Sequence, residues 1–150
     1  MKPYDVCMSK KNFISTSRVI AAPASKIFDL LADPNQHSKL DGLGSVVGVA
    51  KGPDRLFLGA KFKMKMNRKA KYTTSNVVSA FVENKTIAWH HFSQFIWRYD
   101  LEEVSGGTKV TESFDFTKPW GFFIPLIGWD TADLRGMEKT LEILEKVVTA

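Results

Sequence analysis

The sequence contains a single cysteine, Cys7. One thiol excludes an intramolecular disulfide framework and any cysteine-rich metal site. Histidine is equally scarce: His37, His90 and His91. A strand would point the adjacent His90 and His91 to opposite faces, so they cannot chelate one ion together. No zinc pattern is completed, and neither a metal nor a cofactor is expected. Long apolar runs are also missing. The longest candidate, 120–129, is half the ~20 residues that cross a bilayer and carries Pro125 and Gly128. Residues 1–11 show no apolar core of a signal peptide. The expectation is a cytoplasmic protein with no stable membrane insertion. Gly-x-Ser-x-Gly and Gly-rich phosphate loops are absent, so serine hydrolysis and nucleotide chemistry lack their usual signatures.

What is present suits one globular domain. The 150 residues divide into a polar tail over 1–11, expected to be flexible, and a single domain over 12–150. Phe is abundant at 11, with 4 Trp and 5 Met, which suits either an adaptable apolar pocket or a well-filled core. The net charge of +5 is too modest to imply an acidic partner by itself. Lys61, Lys63, Lys65, Lys69 and Lys71 form a basic stripe without interleaved aromatics. It reads as a solvated sheet face rather than a nucleic-acid surface, and no nucleic-acid partner is expected.

Hydrophobic periodicity orders the chain. Residues 12–20 alternate as a strand. Pro23 or Ser25 opens a short helix with Ile27, Phe28, Leu30 and Leu31 on its apolar face, and Asp33-Pro34 starts a second that Gly42 and Gly44 stop. Strands follow over 45–50, 60–68, 71–82, 86–92, 95–104 and 108–117, joined by tight turns such as Ser105-Gly106-Gly107. Phe62, Met64 and Met66 share one face; Phe95, Trp97, Tyr99 and Leu101 share another. The inward face of 71–82 stays ambiguous. Leu134, Met137, Leu141, Leu144 and Val148 then recur at spacings of three and four, predicting a helix over 131–148 with Asp130 as N-cap. Gly136 costs that helix roughly 1 kcal/mol against Ala, so a backbone or a ligand is expected to approach it closely. Leu134, Gly136 and Met137 are the expected roof of a cavity.

Segregated strands and helices indicate an α+β fold with an antiparallel sheet. The stretch from Arg18 to Pro34 (RVIAAPASKIFDLLADP) resembles the opening of the START-like, or SRPBCC, superfamily. So do Gly106 to Asp115 (GGTKVTESFD) and the long final helix, and within the superfamily they are similar to the polyketide cyclase/dehydrase and lipid-transport branch. The resemblance implies a helix-grip fold: a curved antiparallel sheet of six to seven strands around the long C-terminal helix, with two short helices after the first strand. It implies a cavity for a hydrophobic small molecule, and it places the His37–Asp41 helix near the cavity mouth. The superfamily hosts carriers, cyclases, receptors and chaperone regulators, so fold does not settle chemistry.

Glu112 is the sharpest candidate. It shares a strand face with Val110, Phe114 and Phe116, which aims a carboxylate at an apolar interior, where burial raises its pKa. It is a general acid or base, a ligand anchor, a residue of a frayed sheet end, or the partner of Arg135. His91, on the face of Ile87 and Trp89, is either its partner or a hydrogen-bonded core residue. His37 and Asp41, four apart on a short helix, either bind a polar group at the mouth or serve helix-end electrostatics. Trp120, Phe122, Phe123, Ile124, Leu126, Ile127 and Trp129 form a lid, a membrane-touching surface or a buried connector.

The expected function is binding of a hydrophobic or amphipathic, lipid- or polyketide-like molecule. Phe62, Met64, Met66, Trp89, Trp97, Tyr99, Phe114, Phe116, Phe123, Met137 and Leu141 are the expected walls, with Glu112, Tyr99 and His91 as the polar groups that orient the ligand. One alternative is a cyclase or dehydratase using Glu112 or His91 for proton transfer. Another is a protein-interaction module, with a filled interior and an exposed apolar patch around Phe122 and Phe123. Nothing in the sequence specifies an oligomeric state.

Overall fold

The alternating segments pair edge to edge in the computed structural model, which describes residues 5–6, 11–91 and 94–150. Among the described residues the strands are β1 (Asp5–Val6), β2 (Phe13–Ile20), β3 (Val46–Lys51), β4 (Lys61–Arg68), β5 (Ala70–Val82), β6 (Thr86–His91), β7 (Ile96–Val104) and β8 (Gly107–Asp115). They lie in the order β1-β2-β8-β7-β6-β5-β4-β3, and all pair antiparallel. From β3 to β8 each strand lies beside its chain neighbour. The exception, β2 beside β8, ties the start of the domain to its end. Most of the tail expected over 1–11 lies outside the described residues. Within it, Asp5 and Val6 pair with Ser17 and Thr16, adding a two-residue strand to the seven longer ones.

Helices cover one face of this curved sheet. Between β2 and β3 come α1 (Ala24–Ala32), a 3-10 turn (Pro34–Gln36) and α2 (His37–Leu40). After β8 come a second 3-10 turn (Pro119–Phe122), α3 (Phe123–Leu126) and the long α4 (Trp129–Thr149). This is the helix-grip α+β arrangement. The stripe Met137, Leu141, Leu144 and Val148 is buried as expected, while Leu134 is only partly covered. The helix start differs from expectation. Gly128, in the left-handed region at φ +73°, is the N-cap, and Asp130 falls inside the first turn. There its charge still complements the helix dipole. At the other end Lys26 Nζ donates to the Val148 carbonyl at 2.6 Å, and Arg18 pairs with Glu145.

The Gly136 expectation is met by protein. A Cβ on Gly136 would come within 3.1 Å of Leu43 Cβ, and one on Gly42 would sit 2.3 Å from the Gly136 carbonyl. Gly42 N–H donates to Thr140 Oγ1 at 2.9 Å, so two glycines let the loop after α2 lie directly on α4.

The core is split. One buried cluster centres on Ile20, Ile27, Phe28, Leu31, Phe62, Ile87, Val110, Leu141 and Leu144; the other holds Ile14, Phe114, Phe116, Ile124 and Met137. β5 resolves its ambiguous face by turning Thr74, Asn76 and Val78 inward. Lys61, Lys63 and Lys65 alternate outward on β4, exposed to solvent.

Candidate functional site

Trp97 packs against both clusters, and beside it, under the first half of α4, lies a cavity of about 380 Å³ whose walls come from both. Its walls draw Leu31, Leu40, Trp89 and Tyr99 from the first cluster and Phe114, Ile124 and Met137 from the second.

Alternation on β8 aims Glu112 into this cavity from mid-strand, with 1% of its surface exposed. The register of β7 sets Tyr99 opposite Glu112 and Trp97 opposite Phe114, all on the inner face. Tyr99 OH donates to Glu112 Oε1 at 2.8 Å, and Trp97 Nε1–H donates to the same oxygen at 2.9 Å. Oε2 has no partner among the described residues. Burial pushes the Glu112 carboxyl up to about 8, against the two hydrogen bonds, which favour the charged form. At neutral pH it is therefore a neutral acid. With Oε1 taking two donors, the proton belongs on Oε2, which makes that oxygen a hydrogen-bond donor without an acceptor. The Tyr99 phenol is raised well above its ordinary range by burial and by Glu112, so it too stays neutral.

A second polar group closes the far side, four strands away. Alternation on β4 carries Arg68 onto the inner face beyond Phe62, Met64 and Met66. Its Nη1 donates to Asp133 Oδ1 of α4 at 2.7 Å, and its guanidinium lies 4.0 Å from the centre of the Trp129 ring. Burial raises Asp133 to about 6, with Arg68 pulling the other way. All three line the cavity. Neither Arg68 nor Asp133 was among the site residues expected from the sequence. Two signals were available: Arg68 keeps the parity of Met66, and Asp133 stands four residues before Met137 on the buried stripe.

The α2 residues are wall and scaffold. His37 Nε2–H donates to the Leu31 carbonyl at 2.8 Å, and the ring stacks on Trp89 at 5.1 Å between centroids. Burial lowers its pKa, leaving it neutral. The Asp41 carboxylate accepts from Leu43 N–H, Val46 N–H and Ser45 Oγ–H, which fixes the turn into β3. Both line the cavity, without a side-chain bond between them among the described residues.

Of the other expected site residues, Met66, Trp89, Trp97, Tyr99, Phe114, Met137 and His91 line the cavity. Phe62, Met64, Phe116 and Leu141 are instead packed inside the two core clusters. Phe123 is 48% exposed on the outer surface. Leu134 packs on the second cluster without reaching the cavity, whereas Gly136 and Met137 do roof it. His91 is not the partner of Glu112. Tyr99 pairs with both Glu112 and Ile87, so His91 lies two strands across and four residues along from Glu112, beyond hydrogen-bond reach. Burial and the neighbouring His90 bring His91 down to about 4, so it is neutral. Arg135 is exposed, and Trp97 and Tyr99 take its anticipated role. Among the described residues no group of three or more His, Cys, Asp or Glu is placed to hold a metal ion, and no helix is long and apolar enough to cross a membrane.

A family model described as polyketide cyclase / dehydrase and lipid transport matches residues 13–149. An uncharacterized protein of Mycobacterium tuberculosis is 35% identical over 135 residues, or 85% of this chain and 60% of that protein. Its counterpart in a second strain is 34% identical over the same length. The chain thus spans about 60% of the length of the curated relatives it matches. A crystal structure of a Mycobacterium smegmatis protein superposes with TM-score 0.76 at 19% identity, covering 98% of both chains. A polyketide-cyclase-like protein of Corynebacterium glutamicum gives 0.59 at 22%, covering 93% of both. An AHSA1-like protein of Aeromonas hydrophila gives 0.62 at 17%, covering 87% of this chain and 92% of that one. At such identities the structural likeness concerns the fold alone.

Proposed function

The chain belongs to the polyketide cyclase / dehydrase and lipid transport family, and from that membership and the split core we propose that it binds an amphipathic small molecule, lipid- or polyketide-like, in the cavity beneath α4. One observation carries the reading. The space of about 380 Å³ is walled mainly by apolar side chains, yet its lining includes Glu112, one of whose carboxyl oxygens is buried without a partner among the described residues. Small-molecule sites occupy about 300–1,000 Å³ and combine apolar walls with a few aimed polar groups. A buried donor without an acceptor is costly. A carbonyl or hydroxyl oxygen on the ligand would relieve that cost by accepting from Oε2–H. Trp89, Trp97 and Phe114 would contact the ligand's apolar body, and the Arg68–Asp133 pair would meet a polar substituent on the other side.

The test is a titration with a dansylated fatty acid. Wild type is expected to bind it saturably at one site. Glu112→Gln should keep the affinity within a few-fold, because the amide offers Trp97 and Tyr99 an oxygen and the ligand an N–H. Glu112→Leu should weaken it about tenfold, the loss of one hydrogen bond to an otherwise buried group. Absence of saturable binding by wild type would refute the reading.

A second reading, a cyclase or dehydratase moving a proton through Glu112, is favoured by one observation: its pKa of about 8 lies near neutrality at a cavity wall. It separates cleanly from carriage. Glu112→Gln preserves a binding donor and abolishes proton transfer, so turnover would vanish while affinity remained.

A further inference from the structure

The segment between β8 and α4 holds large apolar side chains out of the core. Trp120 is 65% exposed, Phe122 49%, Phe123 48%, Leu126 75% and Ile127 52%. The Phe122 and Phe123 rings stack at 4.2 Å on the outside of the molecule. Isolated exposed leucines are ordinary, but five large apolar residues within eight positions are the kind of surface that marks an interaction site. The same segment turns Ile124 inward onto the cavity, so patch and cavity share one wall.

The rim of this patch is basic. Lys118 precedes the segment and is exposed, Lys69 stands at the β4–β5 turn beside the Arg68 that stacks on Trp129, and Arg135 is exposed on α4. Of the acids nearby, Asp133 is paired with Arg68, while Asp115 accepts from Thr117 N–H and Oγ–H and keeps its charge, against the three cations Lys118, Lys69 and Arg135. Asp130, in the first turn of α4, is the third and sits against the positive end of that helix. A second copy docking patch to patch would bring like-charged rims together. A surface of anionic lipid supplies both complements: acyl chains for the aromatic and aliphatic side chains, and negative headgroups for the cations.

We propose that the 119–128 segment docks this domain peripherally on an anionic lipid bilayer, with the Ile124 wall of the cavity turned toward the lipid. The inference is independent of what occupies the cavity, since docking is read directly on vesicles.

The experiment is co-sedimentation with vesicles of phosphatidylcholine alone and of phosphatidylcholine with phosphatidylglycerol. Thermal melts verify that the variants remain folded, which exposed sites favour. Wild type should pellet with the anionic vesicles and far less with the neutral ones, and high salt should weaken binding. Lys118→Glu should cost about fivefold or more. The double variant Phe122→Ser/Leu126→Ser should cost about tenfold or more, without loss of fatty-acid binding where wild type shows it. No vesicle binding by wild type would overturn the proposal, as would binding indifferent to the double variant. Absent vesicle binding together with a dimer in sedimentation equilibrium that the double variant dissolves would assign the patch to a second copy instead.

Discussion

Replacing Glu112 by Gln should stabilise the protein at neutral pH and leave it unchanged in acid. The carboxyl ordinarily titrates near 4.5 and is pushed to about 8 in the fold. An unfolded chain therefore releases this proton near 4.5, while the folded chain keeps it until about 8. Between those values the folded state binds more protons, so Glu112 makes stability fall as pH rises through that window. At roughly 1.4 kcal/mol per pH unit, the loss accumulated by pH 7 is about 3 kcal/mol, an upper figure that any relaxation of the site reduces. The amide cannot ionise, keeps an acceptor for Trp97 and Tyr99, and matches the shape. Urea unfolding of both proteins between about pH 5 and pH 8 isolates the effect, because the other groups cancel in the difference. The variant's advantage should grow with pH and level off near 8. A constant gap would refute the desolvation argument. A constant gap in favour of wild type would mean in addition that Trp97 and Tyr99 hold a charged carboxylate, which is ionised in both states across this window.

Two further perturbations test the packing around the cavity. Gly42→Ala should cost about 1–3 kcal/mol in chemical denaturation, since its Cβ would overlap the Gly136 carbonyl; wild-type stability would show that the loop does not lie on α4. Arg68→Ala should cost about 3 kcal/mol at pH 8, because it strands the buried Asp133 carboxylate, and less at pH 5, where Asp133 can protonate. Equal losses at both pH values would contradict the pairing.

The legible parts of this fold are those where one face of an element decides burial. Alternation put Phe62, Met64, Trp97, Tyr99 and Glu112 on inner faces, and the three-and-four spacing found α4. What a face cannot reveal is position along it. Phe62, Met64 and Leu141 point inward like Met66 and Met137, yet they pack inside the core while the latter line the cavity. The Glu112 partnership depended on register, which hairpin lengths set: Trp97 and Tyr99 fall beside it, and His91 falls two strands away. The N-terminus of α4 was misplaced because Asp130 looked like a cap, while the left-handed turn at Gly128 starts the helix earlier. In the 119–128 segment hydropathy alone does not distinguish Ile124, which is buried, from Leu126, which is not.

The cavity's occupancy is tested most directly by native mass spectrometry of the protein purified gently from its own host. The account predicts a bound small molecule that leaves on denaturation, with an apolar body and at least one oxygen function. A population that is wholly ligand-free, from cells that retain the protein's natural small molecules, would contradict it.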